Sequence, residues 1–317
     1  MRRFSQLWLL LMCLAATIAA TTVTVSLPAA EQETAKPAAG QDAKVIEERD
    51  GCQIEKYAIH SKAMDKDIRI IVILPPGYEA SGDKKYPILY TLHGKGAPYG
   101  TFSEMGPLRK ALKDQPMIVT CLDGDKESWY VDSPVVKDSQ YTTFFFKEFI
   151  PYVDKHYRVD ADKRGLTGFS MGGWGAMHYM LVKPEMFASV SGLSSAIWPL
   201  NPPSDQAEKF LKPMLGDFAG NKDEYLKLDP HARIEQYLKK KVKLPPIYQH
   251  IGTEDFLLQA NREFRGFLTG KGLQLEYKES PGTHNWSFWV GASAAMIDFH
   301  WRTFQKGYKP ATAEPNK

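Results

Sequence analysis

The stretch "GLTGFSMGGWGAM", residues 165–177, sets a single serine, Ser170, among glycines between a short apolar run and a helical pattern. Gly168-Phe169-Ser170-Met171-Gly172 fits G-x-S-x-G, which has mechanical meaning where a strand turns sharply into a helix. A nucleophile in such a turn has a strained backbone, and neighbouring side chains would collide, so Gly168 and Gly172 are expected there. The helix starting at Met171 would bring oriented N–H groups to the same point, where they favour developing negative charge. The plainer reading is a tight turn beside a packed helix, and the flanking elements have to decide between the two.

Upstream, "CQIEKYAIHS" and "KDIRIIVILPPGY" read as an antiparallel strand pair. "YPILYTLHG", "QPMIVTCLDG", "KRGLTGFS", "MFASVSGLSS", "PPIYQHIGTED" and "LQLEYKES" bring the set to about eight strands. Helical spacing runs over 141–156, 171–182, 256–269 and 286–304. Alternation of strand and helix from Tyr86 onward predicts a mostly parallel eight-stranded sheet with helices on both faces, the α/β class. The strand ends converge on one edge, where open α/β sheets bind ligands. The proline-rich stretch 196–243, ending in the lysine run "LKKKVK", reads as a small insertion after the sixth of these strands, its lysines a solvated helix end.

A serine hydroxyl needs a base to take its proton. In this fold class the chain order is Ser, acid, His. Asp255 stands just past the seventh strand in "HIGTEDFLL", with Glu254 beside it as the alternative acid. His284 follows the eighth strand in "SPGTHNWSFW". Asp255 would orient the imidazole, and His284 would accept the Ser170 proton and pass it to the leaving alcohol. His93, in "LHG", is read as structural; His60, His156, His178, His231 and His300 are assigned to solvent or packing. Backbone N–H groups of Met171 and of Lys95, after His93-Gly94, are the expected oxyanion donors. Trp129, Tyr130, Trp198 and Trp286, with Trp289 beside them, fall after strand ends and are candidates for the rim of a substrate pocket. The competing reading makes them packing residues.

"YPILYTLHGKG", "DGDKESWYVDSP", "FFFKEFIPYVDKHYRVDADKRGLTGFSMGGWGAM", "HIGTEDFLLQANREF" and "SPGTHNWSFW" together resemble the esterase family that includes esterase D, feruloyl and acetyl-xylan esterases and the mycolyltransferases. The resemblance runs over about residues 50–305 in the family's block order. It implies an α/β-hydrolase fold, a triad of Ser170, Asp255 and His284, Lys95 at the oxyanion hole, and no cofactor. It does not name the substrate. A carboxylesterase on feruloyl or acetyl esters of carbohydrates, an acyltransferase passing the acyl group to a sugar or lipid alcohol, and a non-catalytic binding protein are the three readings. The last predicts a broken triad, whereas all three members are present.

The chain has 317 residues and a net charge of +3, with no concentrated basic face of the kind that nucleic acid requires. "MRRF" followed by an apolar run of about 14 residues suits a signal peptide better than a membrane span, with an N-terminal anchor as the alternative. Residues 1–30 are therefore expected to direct secretion or periplasmic export, 31–48 to form a flexible linker, 49–306 the esterase domain and 307–317 a loose tail. S-formylglutathione hydrolysis, cytosolic in this family, fits an exported chain poorly. Cys52 and Cys121 are expected to stay unpaired, because a strand between theirs would hold them roughly 9–10 Å apart, beyond disulfide reach. No Cys or His spacing suggests a metal.

Overall fold

The computed structural model describes residues 44–308; the expected signal peptide, most of the linker and the tail beyond 308 lie outside these. Nine strands form one sheet: β1 (Val45–Arg49), β2 (Cys52–Ser61), β3 (Lys66–Leu74), β4 (Tyr86–Leu92), β5 (Ile118–Leu122), β6 (Val159–Gly168), β7 (Ser189–Leu193), β8 (Ile247–Gly252) and β9 (Leu275–Ser280). Their order is β1-β2-β3-β5-β4-β6-β7-β8-β9. From β5 to β9 neighbouring strands are parallel, and β3, β2 and β1 continue the sheet antiparallel. This is the α/β-hydrolase fold.

Period-two alternation sends successive side chains to opposite faces. Ile70, Val72 and Leu74 of β3 enter one core, and Ile71 and Ile73 the other. Helices α1 (Gly106–Ala111) and α9 (Trp286–Gln305) cover the second core. The first is covered by α2 (Tyr141–Phe144), which continues through a π-helical turn (Phe145–Phe149) into α3 (Ile150–His156), and by α4 (Met171–Val182) and α8 (Leu258–Gly270). From Met171 to Leu181 every residue of α4 is buried, as befits a helix apolar on all sides. Between β7 and β8 the insertion folds as α5 (Asp205–Leu215), α6 (Lys222–Leu228) and α7 (Pro230–Lys239). Ser204 and Asp229 cap α5 and α7 through side-chain oxygens.

Two details differ from the sequence reading. Among the described residues the sheet has nine strands, because Val45–Arg49, all but Arg49 of it assigned to the linker, pairs antiparallel with β2. Its sequence, VIEER, is too charged and short to announce a strand, and only the free edge of β2 gives it a partner. The insertion accordingly follows β7. Among the described residues Cys52 and Cys121 are buried and unpaired, with β3 between their strands. Among the described residues no helix is long and apolar enough to cross a membrane.

Lys44, just before β1, is tied to the sheet by an ion pair. Glu55 is buried and accepts from Gln53 Nε2 at 2.8 Å and from the Tyr157 hydroxyl at 2.5 Å. Its cation is Lys44, 2.5 Å away. Lys44 is partly exposed, so solvent screens the pair. Lys44→Met should therefore lower unfolding stability by about 1 kcal/mol, read from the urea midpoint. An unchanged midpoint would place the domain boundary after Lys44.

Candidate active site

Only Phe169 and Ser170 separate β6 from α4. Ser170 has φ 55° and ψ −119°, a left-handed conformation that costs a non-glycine residue about 1–3 kcal/mol. Neighbouring strands hold it there. Its N–H donates to Leu193 O at 3.0 Å, and its C=O accepts from Ala196 N–H at 3.0 Å and Trp174 N–H at 3.2 Å. A Cβ on Gly172 would lie 1.9 Å from Leu92 O, and one on Gly168 would lie 2.2 Å from the Gly172 carbonyl carbon. Both glycines of the motif are thus fixed by close backbone approach to each other and to the end of β4.

Asp255 sits in the turn after β8 with its carboxylate buried and accepting from Leu257 N–H at 2.8 Å. Its oxygens lie 3.1 and 2.9 Å from His284 Nδ1, and His284 Nε2 lies 2.9 Å from Ser170 Oγ. With Nδ1–H facing a carboxylate, Nε2 keeps its lone pair for the serine proton; this tautomer follows from the partners. Glu254 is exposed. Its amide instead donates to Gly282 O at 2.9 Å, tying the acid turn to the histidine loop. The expected acid is therefore the one in contact, and the alternative is not.

The imidazole is framed by aromatic rings. Trp289 meets it edge-on at 5.0 Å, stacks on Phe169 at 4.4 Å, and donates its indole N–H to Ser194 Oγ at 3.1 Å. Phe256, 58 % exposed, lies 4.6 Å from the imidazole on another side. Its place directly after the acid, at Asp255-Phe256, is the sequence signal for this contact.

Two other histidines also meet serines. His300 bonds Ser189 Oγ at 2.7 Å through Nδ1 and Ser191 Oγ at 2.8 Å through Nε2. All three side chains are wholly buried, and burial pushes His300 down to about 3. His250 bonds Ser280 Oγ at 2.8 Å, with Tyr248 hydroxyl on its other nitrogen, and burial lowers it to about 4. Among the described residues neither has a carboxylate behind the imidazole, and the His300 cluster is wholly enclosed. Ser170–His284–Asp255 has the carboxylate, and Ser170 is partly exposed.

Met171 opens α4, so its N–H has no carbonyl one turn back within the helix. In the loop after β4, Gly96 N–H donates to Lys126 O at 2.7 Å and Ala97 N–H to Gly94 O at 3.0 Å, with the Lys95 amide immediately before them. The Lys95 ammonium pairs with Glu127 and lies 5.5 Å from the Phe210 ring of α5. His93 accepts from Gly124 N–H at 2.9 Å through Nε2 and donates through Nδ1 to Gly94 O at 2.9 Å, so it ties the two loops together as a structural residue.

The tryptophan and tyrosine candidates separate by burial. Tyr130 does not line a rim: it is fully buried, and its hydroxyl donates to His93 O at 2.9 Å. Trp129 and Trp198 are also beneath the surface, packed against each other and against Phe210. Trp286 is exposed at the start of α9. Sequence position put these rings at strand ends but carried no information on which way each points. Among the described residues no group of three or more His, Cys, Asp or Glu side chains is placed to hold a metal. A cavity of about 680 Å³, lined by Lys243, Ile247, Arg302 and Tyr308 among others, lies at the starts of β8 and β9, the edge opposite Ser170.

The fold and this Ser–His–Asp arrangement are those of a serine hydrolase of the α/β class. Residues 61–300 match the family described as "Putative esterase", and the chain belongs to it. It is 28 % identical over 260 residues to Esterase Rv1288 of Mycobacterium tuberculosis, covering 72 % of this chain and 55 % of that protein. The chain thus spans about half the length of that relative. It is 27 % identical over 257 residues to an acetyl esterase of Caldicellulosiruptor saccharolyticus, covering 74 % of this chain and 93 % of that one. Among solved structures, a ferulic acid esterase superposes with TM-score 0.67 at 26 % identity, over 80 % of this chain and 98 % of the other. An S-formylglutathione hydrolase from Agrobacterium tumefaciens, at 19 % identity and TM-score 0.72 over 82 % and 98 %, shares the fold.

The close approach at Gly172 predicts a contrast between two glycine substitutions. Gly172→Ala forces Leu92 and the turn apart and should lower both melting temperature and turnover, the latter by at least about a hundredfold. Gly266→Ala, on the exposed side of α8 with nothing within 4 Å, should raise stability by roughly 0.5–1 kcal/mol. Thermal unfolding and p-nitrophenyl acetate hydrolysis read both.

Proposed function

We propose that the protein is an exported serine carboxylesterase that cleaves acyl esters through a covalent intermediate on Ser170. The observation that carries this reading is the continuous contact Ser170 Oγ–His284 Nε2, His284 Nδ1–Asp255 at the strand ends of an esterase-family fold. Ser170 Oγ attacks the acyl carbonyl as its proton moves to His284 Nε2. Asp255 keeps Nδ1 protonated and stabilises the imidazolium. The carbonyl oxygen becomes an oxyanion held by the Met171 and Lys95 N–H groups. Collapse expels the alcohol, which takes the proton from His284, and leaves the acyl group on Ser170. Water activated by His284 then repeats the sequence and releases the acid.

The likeness to an acetyl esterase and to a ferulic acid esterase supports acetyl or feruloyl esters as substrates. Export rests on the basic start and apolar run within residues 1–30.

Ser170→Ala or His284→Ala should remove roughly 10⁴–10⁶ of kcat on p-nitrophenyl acetate, with an unchanged circular dichroism spectrum. Asp255→Asn should remove about 10⁴ by favouring the wrong tautomer. Near-normal turnover in a folded Ser170 or His284 variant would sink the assignment. A panel of acetate, longer alkyl and methyl hydroxycinnamate esters ranks acyl groups. Adding an alcohol acceptor separates hydrolysis, which yields free acid, from transfer, which yields a new ester.

A further inference from the structure

Two buried indole N–H groups, those of Trp129 and Trp198, have no hydrogen-bond partner among the described residues. The side chains are only 2 % and 5 % exposed, and their ring centroids lie 6.2 Å apart. An indole N–H can only donate, and a buried donor left unpaired is unfavourable unless something accepts from it. The backbone adds a second, independent anomaly. Trp129 and Tyr130 are consecutive non-glycine residues with φ of 53° and 59°. Strain of this kind gathers at ligand sites, and burying rings requires neither feature.

The pair is also linked to the nucleophile turn through its neighbours. The Trp129 ring meets Trp174 edge-on at 6.0 Å, one turn along α4 from Ser170. Trp198 comes two residues after Ala196, whose N–H bonds the Ser170 carbonyl. Phe210, partly exposed on insertion helix α5, lies 5.9 Å from each indole, under the Lys95 ammonium of the oxyanion loop. The nucleophile, the oxyanion loop and the insertion therefore meet around these rings.

We propose that Trp129 and Trp198 form an acyl subsite, covered by Phe210 as a displaceable plug, whose two N–H groups donate to an oxygen far along the acyl chain. This rests on the esterase reading and narrows its substrate class to esters whose acyl group carries an ether, hydroxyl or carbonyl oxygen beyond the scissile carbonyl. Phe210 turns aside as the chain enters, and the acyl oxygen accepts from the two indole N–H groups.

The test compares kcat/KM of the purified protein for p-nitrophenyl hexanoate and its isostere p-nitrophenyl 4-methoxybutanoate, with p-nitrophenyl acetate as reference. The ether oxygen is too far from the carbonyl to alter its reactivity. In a purely apolar pocket the ether ester is the poorer substrate, because its oxygen leaves water without a partner. The subsite predicts the opposite preference, roughly tenfold or more for the ether. Trp129→Phe and Trp198→Phe keep an aromatic ring without the N–H, and each should shift the ratio back toward hexanoate. Phe210→Ala should favour both longer esters relative to acetate. A wild-type preference for hexanoate overturns the subsite whatever the variants do, as does an equal effect of the tryptophan variants on both long esters. If the wild-type protein cleaves none of the three, acetate included, the esterase reading fails and takes the subsite with it.

Discussion

The site depends on one backbone conformation, the left-handed turn at Ser170. It is unfavourable in isolation and persists because three elements over-determine it: β4 through the Leu92 carbonyl against Gly172, β7 through Leu193, and the segment after β7 through Ala196. With the turn so held, the serine oxygen stands clear of the sheet edge and the first turn of α4 begins beside it. A side chain at either motif glycine would separate β4 from α4 and release the turn.

The second constraint is what stands behind each imidazole. His250, His284 and His300 all touch a serine hydroxyl, so contact with serine does not distinguish them. His284 alone of the three has a buried carboxylate on its other nitrogen. That partner fixes the tautomer and stabilises positive charge on the ring, which the serine partners of His300 and the Tyr248 hydroxyl cannot do. Trp289, itself stacked on Phe169, and Phe256 lie against the ring. The histidine loop and the acid turn are joined through Glu254 N–H and Gly282 O, so the distance between acid and base is set by backbone contact.

The loops at this edge are coupled to the insertion by the same economy of contacts. His93 bridges the loops after β4 and β5, and Lys95 extends from the first of these to Glu127 and to the face of Phe210. A segment that interrupts the regular strand–helix alternation thereby reaches the loop after β4.

Much of this was legible in the order of residues. The parallel sheet, α4 over its full length, the insertion, and Ser170, Asp255 and His284 follow from periodicity, G-x-S-x-G and the sequence of strand ends, because each is a local pattern with a local cause. What the sequence could not decide depends on contacts between distant segments. Val45–Arg49 is a strand only because β2 offers an open edge, and Asp255 prevails over Glu254 only because one carboxylate turns inward. Tyr130 is a buried support for His93, Trp129 and Trp198 lie beneath Phe210, and Phe256 stands exposed against the imidazole. Sequence determines that an aromatic ring follows a strand. Which way that ring points is set by packing across the whole sheet edge, and only the folded chain decides it.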